Sequence, residues 1–569
     1  MSNVQEMNRR SFLKTGVVAT GGLFLGFPAQ PPRLIRPPAA TNLNPGPDVV
    51  EVELVAREDT VSFRSSAMTK VYTYNGSIPG PTIEGKVGDR LIVHFTNLLP
   101  EETTIHWHGM EVPANMDGSN ISQHPIPPGS SYRYEFTLLH ASTFWYHPHI
   151  RTYAQVENGL YGMIVVRDPD EERRLGLPDR EHYLVLDDVL LDENGQIAAP
   201  FPADPLENAV TQVNGREGNT LLVNGEVNAM GTVERGVPQR LRLVNVSNAR
   251  FMRVSIAGHR MFRIGGDGGL LEAPIEIPAI DLVPDPDSQT EMISDPDPDR
   301  GLLLTPGERA DVVFTPMGDD STIALQWHDI ARGRRRASFR PRRADDPRGF
   351  QEIALDPDEG DGKRPPQTLL TLELTGARGG AEYVPPTALR KIEAIDTTGA
   401  KPISVEFGHN FPDPNGDITF FATREPGNPL PFEIVTPAIA PVVTVGETGI
   451  FEVYNFLPSD HNFHLHGFTF QLIETQFIDA DTPRNNFVVP ATYLENKDTI
   501  LIPRAPGARG RSRTITRLAA RFDDTGREGQ VEAFGKDPGT ESSGGWVFHC
   551  HILEHADRGM MSFLQVVRQ

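Results

Sequence analysis

The sequence predicts an all-β protein built from three related β-sandwich units. The chain has 569 residues, which is too long for one hydrophobic core and favours about three domains. It contains 52 glycines and 50 prolines and no long stretch of helical periodicity, which favours many short strands joined by turns. A repeated segment that ends in paired histidines then gives the number and order of the units.

Two segments of the chain resemble each other closely. VGDRLIVHFTNLLPEETTIHWHG covers residues 87–109, and VGETGIFEVYNFLPSDHNFHLHG covers residues 445–467. Both begin with a Val-Gly turn, continue as an apolar strand closed by Asn and Pro, and end in an H-x-H strand. A weaker copy at 235–256 has Val254 and Ile256 where the outer copies have histidines. We therefore expect metal-ligand chemistry in the first and third units only.

These repeats define the expected organisation of the chain. We place the three units at 48–168, 178–330 and 386–569, after an N-terminal segment of 1–47. Residues 331–385 are predicted to be a linker, whose first part, ARGRRRASFRPRRADDPRG, is rich in arginine. That part is interpreted as a solvated loop, with docking to an acidic partner or surface as the alternative.

The N-terminal segment is typical of an export signal. NRRSFLK at residues 8–14 is a twin-arginine pattern, and the apolar run of 15–28 follows it. This run is shorter than the about 20 residues that a membrane helix requires. We therefore predict export by the Tat machinery to the periplasm or the cell exterior, with no membrane span in the mature protein.

Net charge and cysteine content narrow the function. The formal net charge of −23 argues against a nucleic-acid binder, because phosphate neutralisation needs a basic face. Cys550 is the only cysteine, so an exported chain has no intrachain disulfide. A free cysteine is usually a buried core residue. Cys550, however, lies between His549 and His551 in GWVFHCHILEHADRGMM, and this density of ligand-type residues favours a metal site.

Ten of the 17 histidines fall in four short motifs. FWYHPHI at 144–150 matches WVFHCHI at 546–552, so each outer unit supplies two H-x-H pairs. Because side chains alternate along a strand, both imidazoles of a pair point to one face. One pair is weak support for a metal site, but four pairs in register would form a cage between the two units. The eight cage histidines are His106, His108, His147, His149, His464, His466, His549 and His551.

On the same alternation, the Cys550 sulfur points to the opposite face of its strand. There it can join His461, His555 and Met560, which the cage does not use. Two imidazoles, a thiolate and a thioether form the ligand set of copper electron-transfer sites. Zinc is the chemical alternative, but a closed zinc site would not need eight further histidines. Met560 could instead be a core residue, as we expect for Met561.

At these residues the sequence resembles the multicopper oxidases, which include laccases, copper-efflux oxidases and bilirubin oxidases. The resemblance extends from Val49 to Val567 and includes the segments IPPGSSYRYEF, GLYGMIVV and LTPGERADVVF. It implies three cupredoxin-like Greek-key β-sandwich domains and four coppers per chain. By motif, it implies a type 1 copper at His461, Cys550, His555 and Met560, a type 2 copper at His106 and His464, and a type 3 pair at His108, His147, His149, His466, His549 and His551.

The reaction that this resemblance implies is the oxidation of a substrate in four one-electron steps, coupled to the reduction of O₂ to two waters. The reductant would be a phenol, an aromatic amine or a reduced metal ion. A cuprous oxidase that confers copper tolerance is the alternative, although the 13 methionines form no Met-rich run. A non-enzymatic periplasmic copper-binding or structural protein is an alternative of another class. The complete ligand set argues against it, and also against a two-domain nitrite reductase without a type 3 pair.

Reduction of O₂ consumes protons, so carboxylates near the cluster matter. Asp117 stands where family members have an acidic residue linked to the cluster, although Asp-Gly also favours a turn. Several bacterial members carry an acid directly after the last motif histidine, where this chain has Ala556. Glu554 or Asp557 would then substitute as the proton donor. Asn462 replaces a usual proline and is expected to be tolerated, because it is not a ligand.

Overall fold

The computed structural model describes most of the chain after residue 33. The described residues are 34–44, 46–284, 292–295, 297, 299–333, 338–341, 350–353, 364–377, 381–410, 412, 413, 415, 417–425, 428–430, 440–506, 512–532 and 545–568. The predicted export signal and most of the arginine-rich segment lie outside them. Within the described ranges, no helix has the length and apolar composition needed to cross a membrane.

The first unit is a sandwich of two four-stranded sheets, ordered β2-β1-β4-β6 and β3-β8-β7-β5. Along β1 and β4, apolar side chains alternate into the core while polar ones face outward, which is the pattern of a half-buried strand. The elements are β1 (Val49–Arg64), β2 (Ala67–Tyr74), β3 (Gly80–Lys86), β4 (Arg90–Asn97), β5 (His106–His108), β6 (Ser131–Thr137), β7 (Ser142–His147), α1 (Thr152–Glu157) and β8 (Gly162–Arg167), with a 3₁₀ turn at Ala114–Met116.

The second unit has a six-stranded sheet, β10-β9-β12-β19-β14-β15, packed on a five-stranded sheet, β11-β23-β20-β13-β18. Its elements are α2 (Pro169–Leu175), β9 (Glu181–Val189), α3 (Pro205–Asn214), β10 (Thr220–Val223), β11 (Ala229–Glu234), β12 (Gln239–Asn245), β13 (Met252–Ile256), β14 (Met261–Gly266), β15 (Gly269–Ile277), β16 (Leu282–Pro284), β17 (Met292–Ser294), β18 (Leu302–Leu304), β19 (Arg309–Phe314), β20 (Thr322–His328), β21 (Ser338–Pro341), β22 (Phe350–Ile353) and β23 (Gln367–Thr375). The pairs β16–β17 and β21–β22 form separate two-stranded sheets.

Strand β23 corrects the predicted linker. It pairs with β11 in parallel and with β20 in antiparallel orientation, so residues 367–375 belong to the second sandwich. Leu370, Leu372 and Leu374 enter the core of that unit because the segment alternates apolar and polar residues. The expected linker of 331–385 is therefore not a continuous connection between the second and third units.

The third unit repeats the arrangement, with a six-stranded sheet, β25-β24-β29-β34-β31-β32, and a five-stranded sheet, β28-β36-β35-β30-β33. Its elements are β24 (Lys401–His409), β25 (Phe420–Phe421), β26 (Thr423–Glu425), β27 (Asn428–Leu430), β28 (Val442–Thr444), β29 (Thr448–Asn455), β30 (His461–Leu465), β31 (Phe470–Ile478), β32 (Phe487–Pro490), β33 (Thr499–Ile502), β34 (Arg513–Arg521), β35 (Trp546–His549), α4 (Leu553–Asp557) and β36 (Met561–Val567), with a 3₁₀ turn at Pro483–Asn485. The all-β prediction is confirmed.

Candidate metal centre

The H-x-H motifs lie on neighbouring strands of each outer unit. In the first unit β5 pairs with β7, which sets His106 opposite His147. In the third unit β30 pairs with β35, which sets His464 opposite His549. The repeated sequence therefore produces the same pair of strands in both outer units. In each pair, the first histidine of one H-x-H motif or its equivalent lies opposite the first histidine of the other.

The two strand pairs meet and enclose the eight imidazoles between the first and third units. His108 stacks on His464 at a ring-centroid distance of 3.8 Å, and His106 stacks on His466 at 3.7 Å. Each stack joins one ring from each unit. The eight rings are buried, with no residue more than 4% exposed. The cage therefore exists only where the two units are in contact.

Hydrogen bonds to the protein orient most of the cage rings. Five histidines use Nδ1 for such a contact, which leaves Nε2 for the cage interior. The contacts of Nδ1 are His106 to the Asp117 carbonyl (2.8 Å), His147 to the Pro148 carbonyl (2.8 Å), His464 to the Asp498 carbonyl (2.9 Å), His549 to the Cys550 carbonyl (2.8 Å) and His466 to the Asp117 carboxylate (3.0 Å). Inside the cage, the Nε2 atoms of His106 and His464 are 3.4 Å apart, and those of His466 and His549 are 3.2 Å apart.

His108 is oriented the other way. Its Nε2 lies 3.1 Å from Asp498 Oδ1 and 3.0 Å from Thr499 Oγ1. Its Nδ1 is buried and has no hydrogen-bond partner in the described structure, and the same holds for both ring nitrogens of His551. Buried ring nitrogens without a partner are costly unless they bind a ligand that the protein itself does not provide.

Burial favours the uncharged form of seven cage imidazoles. It lowers their pKa values, and their mutual repulsion as cations acts in the same direction. These seven are His108, His147, His149, His464, His466, His549 and His551. A neutral imidazole has a free lone pair, so these seven rings have the protonation state that metal binding requires.

The ligand atoms form several groups tight enough to hold a metal ion. Within each group, all ligand atoms lie within 4.8 Å of one another. The groups in the cage are His106–His108–His147, His106–His464–His466, His149–His466–His549 and His108–His464–Asp498. Overlapping groups that share histidines fit a cluster of several ions better than one isolated ion. Imidazole donors suit copper, zinc, iron and nickel.

A second site lies on the other face of β35. Cys550 Sγ is 3.6 Å from His461 Nδ1 and 3.6 Å from His555 Nδ1, and these three form one further ligand group. Met560 is fully buried in the same core cluster as Cys550, and its backbone carbonyl accepts the Cys550 N–H at 3.0 Å. The structure thus brings together the two histidines and the cysteine expected for this site, with Met560 packed beside them.

The protonation of this second site also fits a metal. Burial raises the pKa of the Cys550 thiol to about 12 and lowers that of His555 to about 3. Burial likewise lowers the pKa of His461 well below its ordinary value. Without a cation the site is a neutral thiol between neutral rings, and a thiolate there needs a bound positive ion. A His₂Cys donor set is typical of copper electron-transfer sites.

The two sites are joined by the backbone of one strand. Cys550 faces the second site, while its neighbours His549 and His551 contact cage rings from both outer units. The Cys550 carbonyl also accepts the ring N–H of His549 at 2.8 Å, which adds a shorter connection. Electrons can therefore pass between the sites through a few covalent bonds and one hydrogen bond.

One histidine of the second site lies beside a small surface recess. His555 Nε2 donates to the Val213 carbonyl at 3.1 Å, so the end of α3 covers the ring edge. Asp460 also borders the recess, and burial raises the pKa of its carboxyl to about 6. The lining residues are Val213, Asn214, Arg332, Gly333, Ser459, Asp460, Ile552 and His555.

The three candidate carboxylates take different positions. Asp117 contacts the cage directly through His466. Burial alone would raise the pKa of Asp117, but its interactions with His106, Ser119 and His149 together outweigh burial and lower it. Glu554 accepts a hydrogen bond from Asn248 Nδ2 at 2.8 Å, and burial raises its pKa. Asp557 accepts the N–H of Tyr153 at 3.0 Å, and burial raises its pKa to about 7. Asp117 is therefore at the cage, whereas α4 carries the other two along the interface with the first and second units.

Sequence reasoning missed the residues that orient the cage from outside. Asp498 contacts His108 through its carboxylate and His464 through its carbonyl. Arg309 of the second unit binds the Asp498 carboxylate with both guanidinium NH groups, one of them at 2.7 Å. The sequence signal for these two residues was a charged side chain next to an apolar strand. Arg309 is the first residue of a largely apolar strand, and Asp498 directly precedes another.

The comparisons with known proteins agree with this geometry. Multicopper oxidase family models match residues 55–171, 181–284 and 411–520 with 536–569. Multicopper oxidase mco of Staphylococcus haemolyticus is 24% identical over 522 residues, covering 90% of this chain and 88% of the relative. Laccase-1 of Cryptococcus neoformans var. grubii is 33% identical over 213 residues, covering 36% of this chain and 34% of that enzyme.

A solved structure supports the fold. The multicopper oxidase from Campylobacter jejuni, described as a metallo-oxidase, superposes with a TM-score of 0.69 at 24% sequence identity. The match covers 94% of this chain and 96% of that one. The chain belongs to the multicopper oxidase family. It is a copper-dependent oxidoreductase that uses O₂ as its electron acceptor, and the family prediction from sequence is confirmed.

Proposed function

We propose that the chain holds four coppers and acts as a laccase-like oxidase. His461, Cys550, His555 and Met560 would hold type 1 copper. His106 and His464 hold type 2 copper. The type 3 pair is held by His108, His147, His149, His466, His549 and His551. The observation that carries the proposal is that Cys550 Sγ lies 3.6 Å from two imidazoles while its two neighbours face the cage.

The bound coppers would supply the redox chemistry, which is one-electron acceptance from the reductant and four-electron delivery to O₂ with four protons to give two waters. The protein orients the ligand rings and excludes water. Of the four proposed type 1 ligands, His555 lines the recess, and it is the residue through which a reductant would make contact. His549 and His551 connect Cys550 to the cage.

Carboxylates of the chain supply the protons. Asp117 is our first candidate because its carboxylate is 3.0 Å from His466 Nδ1. Glu554 and Asp557 are the second candidates, since Ala556 leaves no acid at the position that bacterial relatives use. The pKa of Asp557, raised to about 7, suits a group that carries a proton near neutral pH, and burial also raises the pKa of Glu554.

The reductant is a phenol, an aromatic amine or a reduced metal ion. The name Laccase-1 of one relative favours the aromatic class, and the description of the Campylobacter protein as a metallo-oxidase favours the metal-ion class. We propose the laccase-like activity first, with a cuprous oxidase as the alternative. The complete set of ligands argues against a non-enzymatic copper-binding or structural role.

We also propose that the protein is exported. The twin-arginine pattern at residues 8–14 supports recognition by the Tat machinery, and this places the mature protein in the periplasm or outside the cell. The Tat route would carry the chain already folded, which suits a protein whose metal cage forms only between two packed units.

Stoichiometry tests the proposed reaction. Copper-loaded protein given a phenolic reductant should consume one O₂ for every four electrons, without releasing hydrogen peroxide. His147→Gln should abolish O₂ consumption and leave the thiolate absorption band in place, because His147 belongs only to the cage. His94→Gln is the matched control, since His94 is exposed and pairs only with Glu51. Full O₂ consumption in His147→Gln would contradict the proposal.

A further inference from the structure

A side-chain amide lies against the sulfur of the only cysteine. Asn462 is fully buried on β30, and its Oδ1 is 3.6 Å from Cys550 Sγ. The family usually has proline at this position, and proline has no side-chain dipole. The sequence predicted only that Asn462 would be tolerated, whereas the structure shows a contact that proline could not make.

Other hydrogen bonds fix the orientation of this amide. Oδ1 accepts the backbone N–H of His551 at 2.9 Å. Nδ2 donates to the Pro306 carbonyl at 2.7 Å and to Thr305 Oγ1 at 3.3 Å. Turning the amide over would set NH₂ against N–H and oxygen against carbonyl, so two hydrogen bonds would become two repulsive contacts. The oxygen, and not the NH₂ group, therefore faces the sulfur.

The same side chain joins the second unit to the third. Thr305 and Pro306 lie in the turn between β18 and β19 of the second unit, and the next residue, Gly307, packs directly against His108 and His551. Asn462 therefore holds the backbone at His551 against a turn that also borders the cage.

The partial negative charge on the amide oxygen acts on the electron density of the Cys550 sulfur. The thiol S–H can donate to Oδ1, but a cysteine that binds copper has lost this proton. The partially negative oxygen then faces a thiolate in a dry core. It opposes withdrawal of electron density from the sulfur and so favours the oxidised, more positive metal over the reduced one.

We propose that Asn462 is a positioning residue that lowers the reduction potential of the type 1 site and holds the His551 backbone in place. This inference rests on the proposed role of Cys550 as a copper ligand. Asn462 itself contacts neither substrate nor the reacting atoms, and it acts through the sulfur and through the His551 N–H.

Removal of the amide tests the inference. Asn462→Leu removes the amide dipole with little change of shape, and Asn462→Val removes it with a smaller side chain. Both keep the backbone N–H of residue 462, which also donates to the Cys550 sulfur. In a redox titration followed at the thiolate band, both variants should titrate at a higher potential than the parent, and the band maximum should shift. In the copper-free protein, the His551 N–H should exchange faster with solvent in Asn462→Leu.

Thr305→Val is the matched control. It removes one partner of Nδ2 but leaves Pro306 to hold the amide, so Oδ1 stays at the sulfur and the potential should not move. An unchanged or lower potential in both Asn462 variants would overturn the inference, even if their stability fell. If Asn462→Leu does not fold, Asn462→Val decides. A parent protein with no thiolate band would instead refute Cys550 as a copper ligand, so the two failures are distinguishable.

Discussion

Single hydrogen bonds decide which nitrogen each cage histidine offers to a metal. Most rings are fixed through Nδ1, but Asp498 and Thr499 bind Nε2 of His108 and so leave its Nδ1 free. Asp498 must be ionised for this contact to be strong. Burial opposes ionisation, but the guanidinium of Arg309 and the hydrogen bonds from His108 and His464 together outweigh it and hold the pKa of Asp498 well below its usual range.

The ion pair of Arg309 and Asp498 should be strongly coupled, because both side chains are buried. Asp498→Leu alone leaves a buried guanidinium without this partner and should lower the free energy of unfolding of the copper-free protein by about 3 kcal/mol. The double variant Arg309→Leu/Asp498→Leu should be less destabilised than the sum of the two single variants. Urea unfolding of the four proteins measures this coupling, and additive losses would contradict it.

At the scale of elements, a short helix of the second unit covers a ligand of the third. Helix α3 begins after Asp204, whose carboxylate accepts the N–H groups of Leu206 and Glu207, and Pro205 occupies its first position. These are typical signals of a helix start. The last turn presents the Val213 carbonyl to His555 Nε2 at 3.1 Å. The stability of α3 therefore controls access to the His555 edge.

Loss of the N-terminal cap should loosen this cover. Asp204→Ala removes two hydrogen bonds to backbone N–H groups and should destabilise α3 by about 1 kcal/mol. Hydrogen exchange of the α3 amides should become faster, and bulky reductants should gain in kcat/KM relative to small ones. The thiolate band should stay unchanged because α3 supplies no ligand.

Asp168→Ala is the control for this change. Asp168 caps α2 in the same way, with proline at the first helical position, but α2 does not border the recess. Its loss should leave the ratio of kcat/KM between bulky and small reductants as in the parent. If Asp204→Ala and Asp168→Ala changed that ratio equally, α3 would not control access to the His555 edge.

At the scale of the whole molecule, the second unit has no predicted copper ligand but helps to hold both sites. It supplies Arg309 to Asp498, Asn248 to Glu554, and the Val213 carbonyl to His555. Lys497 of the third unit adds buried ion pairs to Asp267 and Glu308 of the second. Copper binding between the outer units therefore depends on all three sandwiches being packed together.

Burial of so many neutral imidazoles predicts a pH dependence of the copper-free protein. In the unfolded chain a histidine titrates near about pH 6.5, whereas burial lowers the folded pKa of His461, His555 and seven cage histidines. Below about pH 6.5 the unfolded chain therefore binds more protons, so the stability present at higher pH is lost as the pH falls.

The loss should be steep, since each such histidine contributes up to about 1.4 kcal/mol per pH unit below that point. Urea unfolding of the copper-free protein at about pH 7.5 and about pH 5.5 measures it. A free energy of unfolding that is equal at the two values would contradict the assignment of these rings as buried and neutral.

Much of the fold and of the candidate site follows from local patterns. The period of two along strands predicts that each H-x-H pair shares a face and that Cys550 points away from His549 and His551. The internal repeat predicts that the outer units carry equivalent strand pairs, because similar sequences fold alike. These features depend on residues close together in the chain, and such features are the ones that sequence patterns record.

The remaining features depend on contacts between distant segments. Nothing near Asp498 indicates that Arg309 will bind it, and nothing in the segment around 367–375 indicates that it returns to the second sandwich. From the sequence, Asn462 was expected only to be tolerated, because it is not a metal ligand. Its contact with the Cys550 sulfur joins two distant segments of the third unit, and the second unit fixes its orientation through Thr305 and Pro306. Local periodicity encodes neither contact.

Visible absorption and copper content of the copper-loaded protein, compared with Cys550→Ser, test the central claim most directly. We predict about four coppers per chain, three bound by the cage histidines and one bound at the Cys550 site. We also predict an intense blue thiolate band in the parent protein. Cys550→Ser should lose the band and one copper while the cage retains the other three. A colourless parent protein, or a band that survives in Cys550→Ser, would contradict the account.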